Sequence, residues 1–317
     1  MEHVLPLVSV LIPAYNHEQF ILECLDSVGA QEGVRMELLV IDDGSSDGTA
    51  RVAEAWIERS SHHFERAEIR SRPNQGICST LNELVAWSTG DYACLLASDD
   101  ALLPRGVASR VDYLEDHPLL EAVMSDVQLM DDAGNVLATS ALEAYGYRKK
   151  ALRTNQLLGL FLSTWTPPFS HQFFRAEWLR RNPYPSGLGY EDYYTALRLG
   201  RDRRIGFLPT TTVRYRVASG RNQGRLPVTD LVATHAATIR DVFGDGRQPL
   251  LVALARARAT RTMQRDGRAD HITRLLHLLV VPQIIRHRRL STLWHGDHPH
   301  FDVPKTPTAV LSATALS

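Results

Sequence analysis

The chain has 317 residues, 44% of them hydrophobic and 22% charged, with a formal net charge of −1. That length can carry one large core, or one domain with an appendage, and the composition is that of a soluble globular protein. The near-zero charge gives no reason to expect nucleic acid as a partner, and no run reaches the roughly 18–20 apolar residues that a membrane span needs. Three scattered cysteines, Cys24, Cys78 and Cys94, lack metal-ligand spacing and an even count, which predicts reduced thiols in a cytosolic protein. The apolar stretch Val4 to Pro13 has no basic leader or small-residue cleavage site, so it is not expected to be a secretory signal.

Val8-Ser9-Val10-Leu11-Ile12 reads as the first strand, closed by Pro13. Asn16, with Gln19 three residues on, resembles a capping box opening a helix with Ile21, Leu22, Leu25 and Val28 inward. Between them, Pro13-Ala14-Tyr15-Asn16 is a rigid, aromatic turn, unlike the glycine-rich phosphate cradles. Leu38 to Ile41 is the second strand and runs straight into Asp42-Asp43-Gly44-Ser45-Ser46-Asp47-Gly48-Thr49. A carboxylate here can accept the imide N–H of a uracil or thymine ring, while Asp47 or Thr49 caps a helix carrying Val52, Ala53, Trp56 and Ile57. Ala67 to Arg70 is a weak third strand. After Arg72-Pro73-Asn74-Gln75-Gly76 comes a helix with Leu81, Leu84 and Val85 inward and Asn82 placed to serve a neighbouring loop or a ligand.

The central stretch is Tyr92 to Asp100, an apolar run that ends in two adjacent carboxylates. Two acids side by side repel each other and are costly to desolvate unless a cation or donors sit between them. At the end of a central strand they are placed to hold a divalent metal against a nucleotide diphosphate, the plain alternative being a helix cap before Pro104. The β-α-β-α-β-α-β order implies a parallel, doubly wound sheet.

Downstream, Val107 to Leu114 is a helix, and Asp131 to Asn135 is a hairpin turn between Val123–Met130 and Val136-Leu137. Thr139 to Thr154, with Arg148-Lys149-Lys150, reads as a solvated basic loop. Thr166 to Arg175 is a strand entered through a rigid turn and carries His171. Gly187 to Tyr194 opens a helix, and Thr211 to Val217 is a closing strand. From Thr229 the chain turns helical and basic, clearest in Leu250–Met263 and His271–Ile285. Leu275 to Val281, followed by Arg286-His287-Arg288-Arg289, can pack onto the first domain or a second subunit, or lie on an anionic membrane surface. The Pro/Thr/Ala-rich tail from Gly296 is expected to be disordered.

Three of these segments together resemble family 2 glycosyltransferases: Val8 to Asn16, Val40 to Thr49, and Ser98-Asp99-Asp100-Ala101-Leu102-Leu103-Pro104. The resemblance covers roughly residues 7–222. It implies a GT-A fold, a Rossmann-like, mostly parallel central sheet flanked by helices, here with a C-terminal helical appendage. The expected domains are a catalytic one over 1–225, a helical region over 226–295 and the tail over 296–317.

By resemblance, the nucleotide-sugar-binding set is Pro13, Ala14, Tyr15, Asp43, Asn74, Ser98 and Asp99. Asp43 faces the base, Asp99 the ribose or metal, and Asp100 ligates Mn²⁺ or Mg²⁺ bridging the diphosphate. Glu191-Asp192 looks like the family's Glu-Asp motif, which makes Asp192 the catalytic base. Glu191, His171 and Arg216 are acceptor contacts or supports. The family often carries a histidine two residues after a Tyr-Arg pair. Tyr215-Arg216 is present here but Val217 to Asn222 has no histidine, leaving Arg216, Arg221 or Asn222 to meet the diphosphate.

The implied activity is metal-dependent, inverting transfer from a nucleotide-diphosphate sugar, with UDP or dTDP favoured. The acceptor is a hydroxyl on a carbohydrate or glycolipid, in surface polysaccharide or glycolipid synthesis. The expected location is cytoplasmic, with the C-terminal helices offering membrane association from that side or homo-oligomer contact. A catalytically silent binding module is the alternative. A sugar nucleotidyltransferase would need a glycine-rich basic loop after the first strand, and a processive synthase would need membrane helices and a Gln-x-x-Arg-Trp motif.

Overall fold

A computed structural model describes residues 5–144, 157–158, 161, 169–186, 188, 191–217 and 228–243. Residues 145–154 of the expected basic loop, residues 166–168, Gly187, Gly189, Tyr190, Arg221, Asn222 and everything expected beyond Phe243 lie outside the described residues. The start of that loop, expected to be solvated, is instead the helical turn Ala141–Ala144 with Ala141 and Leu142 buried. The strand expected from Thr166 begins only at Gln172, after the turn Phe169–His171. The chain divides into two compact units: Met1–Ala141 with Pro168–Glu191 and Arg204–Val217, and Leu142–Pro167 with Asp192–Arg203 and Ala218–Ser317.

Among the described residues, the first unit is built on one sheet of nine strands. These are β1 (Leu7–Ala14), β2 (Arg35–Asp42), β3 (Arg66–Ser71), β4 (Tyr92–Leu95), β5 (Ala101–Leu102), β6 (Ala122–Met130), β7 (Val136–Ala138), β8 (Gln172–Arg175) and β9 (Ile205–Arg216). They run in the order β3-β2-β1-β4-β8-β6-β9-β5, with β7 on β6. β3, β2, β1 and β4 are mutually parallel, as the alternating pattern requires. Beyond β4 the sheet becomes mixed: β8 is antiparallel to both β4 and β6, while β6 and β9 are parallel.

The interior strands are continuous apolar runs because both faces are covered. Val10, Leu11, Ile12, Leu38, Leu39, Val40, Ala93, Cys94 and Leu95 are all fully buried. β3 reads weakly because it is an edge strand whose six residues are half-buried or exposed. β9 starts six residues earlier than Thr211. The signal is interrupted at Pro209, where the register against β6 jumps from Leu208 to Thr211; proline tolerates such a break because it has no N–H to give the ladder.

Four helices complete the pattern: α1 (Ile21–Gly29), α2 (Thr49–Ser60), α3 (Ile77–Trp87) and α4 (Gly106–Asp116). Two local expectations change. The inward face of α1 is Ile21, Cys24, Leu25 and Val28, while Leu22 is 44% exposed. The helix also starts at Ile21 without a side-chain cap, because Asn16 is engaged elsewhere. Asn82 is settled as structural: its amide donates to Tyr184 O at 2.9 Å and its oxygen accepts from Tyr184 N at 2.8 Å. None of the three cysteines forms a disulfide.

In the second unit, helix Glu191–Arg201 packs beside helix Val228–Phe243. The Tyr193 ring lies 5.1 Å from His235, and an Arg201 N–H donates to Val242 O at 2.9 Å. Gly200 lets Leu158 and Phe161 close in, since a Cβ there would meet both within 3.4 Å. No helix among the described residues is long and apolar enough to cross a membrane.

Candidate active site

β1 has β2 on one side and β4 on the other, so the direction of winding reverses between β1 and β4. In open α/β sheets the crevice outside the carboxyl ends of two such strands is the ligand site. Here those ends deliver residues 15–20 and 96–100. His17 joins them: its Nδ1 lies 2.8 Å from Ser98 Oγ, and its Nε2 lies 3.8 Å from Asp99 Oδ2. His17 was absent from the expected set. It adjoins a motif residue, and nothing local distinguishes it from any surface histidine.

The turn after β1 is laced to the turn after β2. Asn16, at a φ of 53°, accepts from Ser46 N at 2.8 Å and donates its own N–H to Ser45 Oγ at 2.9 Å. His17 N donates to Thr49 Oγ1 at 2.8 Å, and Gly48 N donates to Glu18 Oε2 at 3.0 Å. Asp47 accepts from Thr49 N at 3.0 Å, but the N-cap position of α2 is Gly48 and carries no side-chain cap, so neither Asp47 nor Thr49 is the cap expected there. The result fixes Pro13 and Ala14 as buried and leaves Tyr15 about half exposed beside the crevice.

Asp43 holds the third loop. Its carboxylate accepts from Gln75 N at 2.8 Å and Gly76 N at 2.9 Å, and is bonded to Arg72. Arg72 in turn donates to Glu83 and Thr80. Gly44 sits at a φ of +78° against this loop, and a Cβ would come within 2.8 Å of Asn74 N, so both conformation and space demand glycine. Asn74 Oδ1 accepts from Gly76 N at 3.1 Å.

Asp99 and Asp100 differ sharply. Asp99 keeps 20% of its side chain exposed, whereas Asp100 is 1% exposed. Asp100 Oδ1 accepts the Arg216 backbone N–H at 2.9 Å, but Oδ2 is buried with no hydrogen-bond partner. Burial pushes this carboxyl well above the usual range and the Asp99 charge pushes it further, while Ser170 and Arg216 pull the other way. The Arg216 side chain is 2% exposed and committed to protein acceptors, which favours a supporting role over a direct diphosphate contact.

His171 is 2% exposed, edge-on to Tyr215 at 5.7 Å. Burial first, and the nearby Arg110 guanidinium second, lower its pKa to about 3, so it is neutral in the folded protein. Its ordinary value is 6.5, so the unfolded chain takes up a proton that the folded chain refuses as pH falls between those values. Stability is therefore expected to fall through that window by at most about 1.4 kcal/mol per pH unit from this group. Urea midpoints measured from pH 7 to 4 should flatten in His171→Gln; an unchanged slope would show that other groups carry the acid sensitivity.

Glu191 and Asp192 open helix Glu191–Arg201, where ionised carboxylates are favoured. Burial raises the Glu191 carboxyl above its ordinary value. Asp192 is half-buried, and its Oδ1 accepts the N–H of Tyr193 at 2.6 Å.

The model of the family "Glycosyl transferase family 2" matches residues 9–181, more than half of the chain. The chain belongs to glycosyl transferase family 2. Its relatives include EpsE of Bacillus subtilis (strain 168), 32% identical over 130 residues that make up 41% of this chain and 46% of EpsE. Chondroitin synthase of Pasteurella multocida (strain Pm70) is 39% identical over 118 residues, 37% of this chain and 12% of the synthase. The matched stretch thus spans less than half of either relative. Among solved structures, S. aureus TarS 1–349 in complex with UDP-GlcNAc aligns with a TM-score of 0.60 at 17% identity, over 90% of this chain and 83% of that one. The mannosyltransferase PcManGT from Pyrobaculum calidifontis, in complex with GDP-Man and Mn²⁺, aligns with a TM-score of 0.55 at 19% identity, over 92% and 83%. These likenesses establish the GT-A fold.

Whether this family 2 chain suits a divalent cation is decided at Asp100. Among the described residues, no group of three or more His, Cys, Asp or Glu side chains is arranged to hold a metal unaided. A buried carboxylate oxygen with no donor fits one protein ligand to a hard cation whose other oxygens come from phosphate and water.

Proposed function

We propose that the chain transfers a sugar from a nucleotide-diphosphate sugar to a hydroxyl acceptor, with inversion, in the synthesis of a surface polysaccharide or glycolipid. The single observation that carries this reading is Asp100, a buried carboxylate with one unpaired oxygen, placed just after β4 where the winding of the sheet reverses. Asp100 is the residue that would hold Mn²⁺ or Mg²⁺. When bound, such an ion neutralises charge on the departing diphosphate.

The chain's own residues do the rest. Tyr15 offers a ring to the nucleoside beside the rigid Pro13-Ala14 backbone, and Asn74 is presented by the loop that Asp43 holds. A carboxylate has about four acceptor positions, and three N–H donors already occupy Asp43, so one remains for a base imide such as that of UDP or dTDP. Ser98 and Asp99, oriented by His17, face the ribose. Asp192 takes the proton of the acceptor hydroxyl as it attacks the anomeric carbon.

Incubation with a panel of nucleotide sugars, with Mn²⁺ or with EDTA, tests this. Release of nucleoside diphosphate from one donor class in Mn²⁺ alone is expected. No release from any donor, with or without a saccharide acceptor pool, would leave a silent binding module instead.

A further inference from the structure

We infer that Arg216 is a positioning residue for Asp100, acting as a buried clamp that aims the unpaired Oδ2 into the crevice. This rests on the cation-binding reading of Asp100 given above. Four of the guanidinium's N–H groups are engaged: Nε donates to Asp99 O at 2.8 Å, one terminal nitrogen donates to Asp131 O at 2.7 Å and Asp132 O at 3.1 Å, and the other pairs with Glu23 of α1. The planar cation also lies 4.5 Å from the Phe20 ring centroid. One side chain therefore ties together α1, the Ser98-Asp99-Asp100 turn, the β6–β7 turn and the end of β9.

The clamp reaches the carboxylate along two routes. The Arg216 backbone N–H binds Asp100 Oδ1 directly, and its side chain holds the carbonyl of the preceding residue. The β5–β9 ladder, pairing Ala101 with Arg214, fixes the same spacing from the other side. With Oδ1 taken and the turn pinned, Oδ2 has one direction left. The fork geometry needs a guanidinium, because a lysine ammonium is a compact point donor that cannot reach three carbonyls and a carboxylate in one plane.

The test measures Mn²⁺ binding by the electron paramagnetic resonance of the free ion, in the full chain saturated with whichever of UDP, dTDP or GDP wild type binds most tightly. Groups that orient a ligand typically cost about 10–100-fold in metal affinity when removed. Arg216→Lys is expected to weaken Mn²⁺ binding by about tenfold or more, with metal-free nucleotide affinity held within about twofold, and excess Mn²⁺ should restore turnover. Glu23→Gln, at a side chain 40% exposed and so tolerant of change, should shift Mn²⁺ affinity in the same direction even where Arg216→Lys fails to fold. Wild-type Mn²⁺ affinity in both variants, with Asp100→Asn abolishing binding, overturns the clamp alone. Unchanged Mn²⁺ binding in Asp100→Asn overturns the cation reading and the clamp with it.

Discussion

Asp100→Asn is expected to abolish sugar transfer while making the ligand-free protein more stable. The carboxylate is buried with one oxygen unpartnered, and the Asp99 charge beside it adds repulsion. A carboxyl whose folded pKa lies above its unfolded value destabilises the fold once the unfolded chain ionises. The penalty is absent below the ordinary carboxylate range, grows as pH rises through it, and is fully present above the folded value. Asparagine removes that charge and keeps the oxygen that accepts the Arg216 N–H. A gain in stability is expected at pH 8, shrinking toward pH 4, read from urea midpoints. Turnover should fall by about 10³-fold or more, since the ion's stabilisation of the leaving group is worth several kcal/mol. A destabilised Asp100→Asn would mean that the unpaired oxygen has a partner in solution.

Asp192→Asn should separate binding from chemistry. The substitution preserves the acceptor for the Tyr193 N–H and changes only the ability to take a proton. Donor affinity, followed by calorimetric titration with nucleotide and Mn²⁺, should stay within about twofold. Transfer to acceptor should fall by about 10²–10⁴-fold, the contribution of a positioned general base. Near-normal turnover would remove Asp192 from the mechanism.

The strands β1, β2 and β4 were legible because buried parallel strands are continuous apolar runs, and β2 ends directly in Asp42 while the run through β4 stops at Ser98. Local chemistry misled where two uses competed. Asn16 has the spacing of a helix cap, yet its oxygen accepts from Ser46, thirty positions along the chain. Leu22 is as apolar as its neighbours, but the stripe closes through Cys24 instead.

What sequence could not supply was convergence. Arg216 meets Glu23, Asp99 and Asp131 across separations of 193, 117 and 85 residues, and only a folded sheet makes these neighbours. His17 is similar: its role comes from Ser98, 81 residues away. The sequence chemistry of Asp43 points to a base contact, whereas its hold on the loop at Gln75 and Gly76 depends on register between β2 and β3.

Anomalous diffraction from crystals grown with Mn²⁺ and the preferred nucleoside diphosphate tests the account most directly. A manganese peak within about 2.0–2.6 Å of Asp100 Oδ2, with the nucleotide lying between Tyr15 and Asp99, is the predicted result. Nucleotide bound away from the β1–β4 crevice, or manganese with no contact to Asp100, would contradict it.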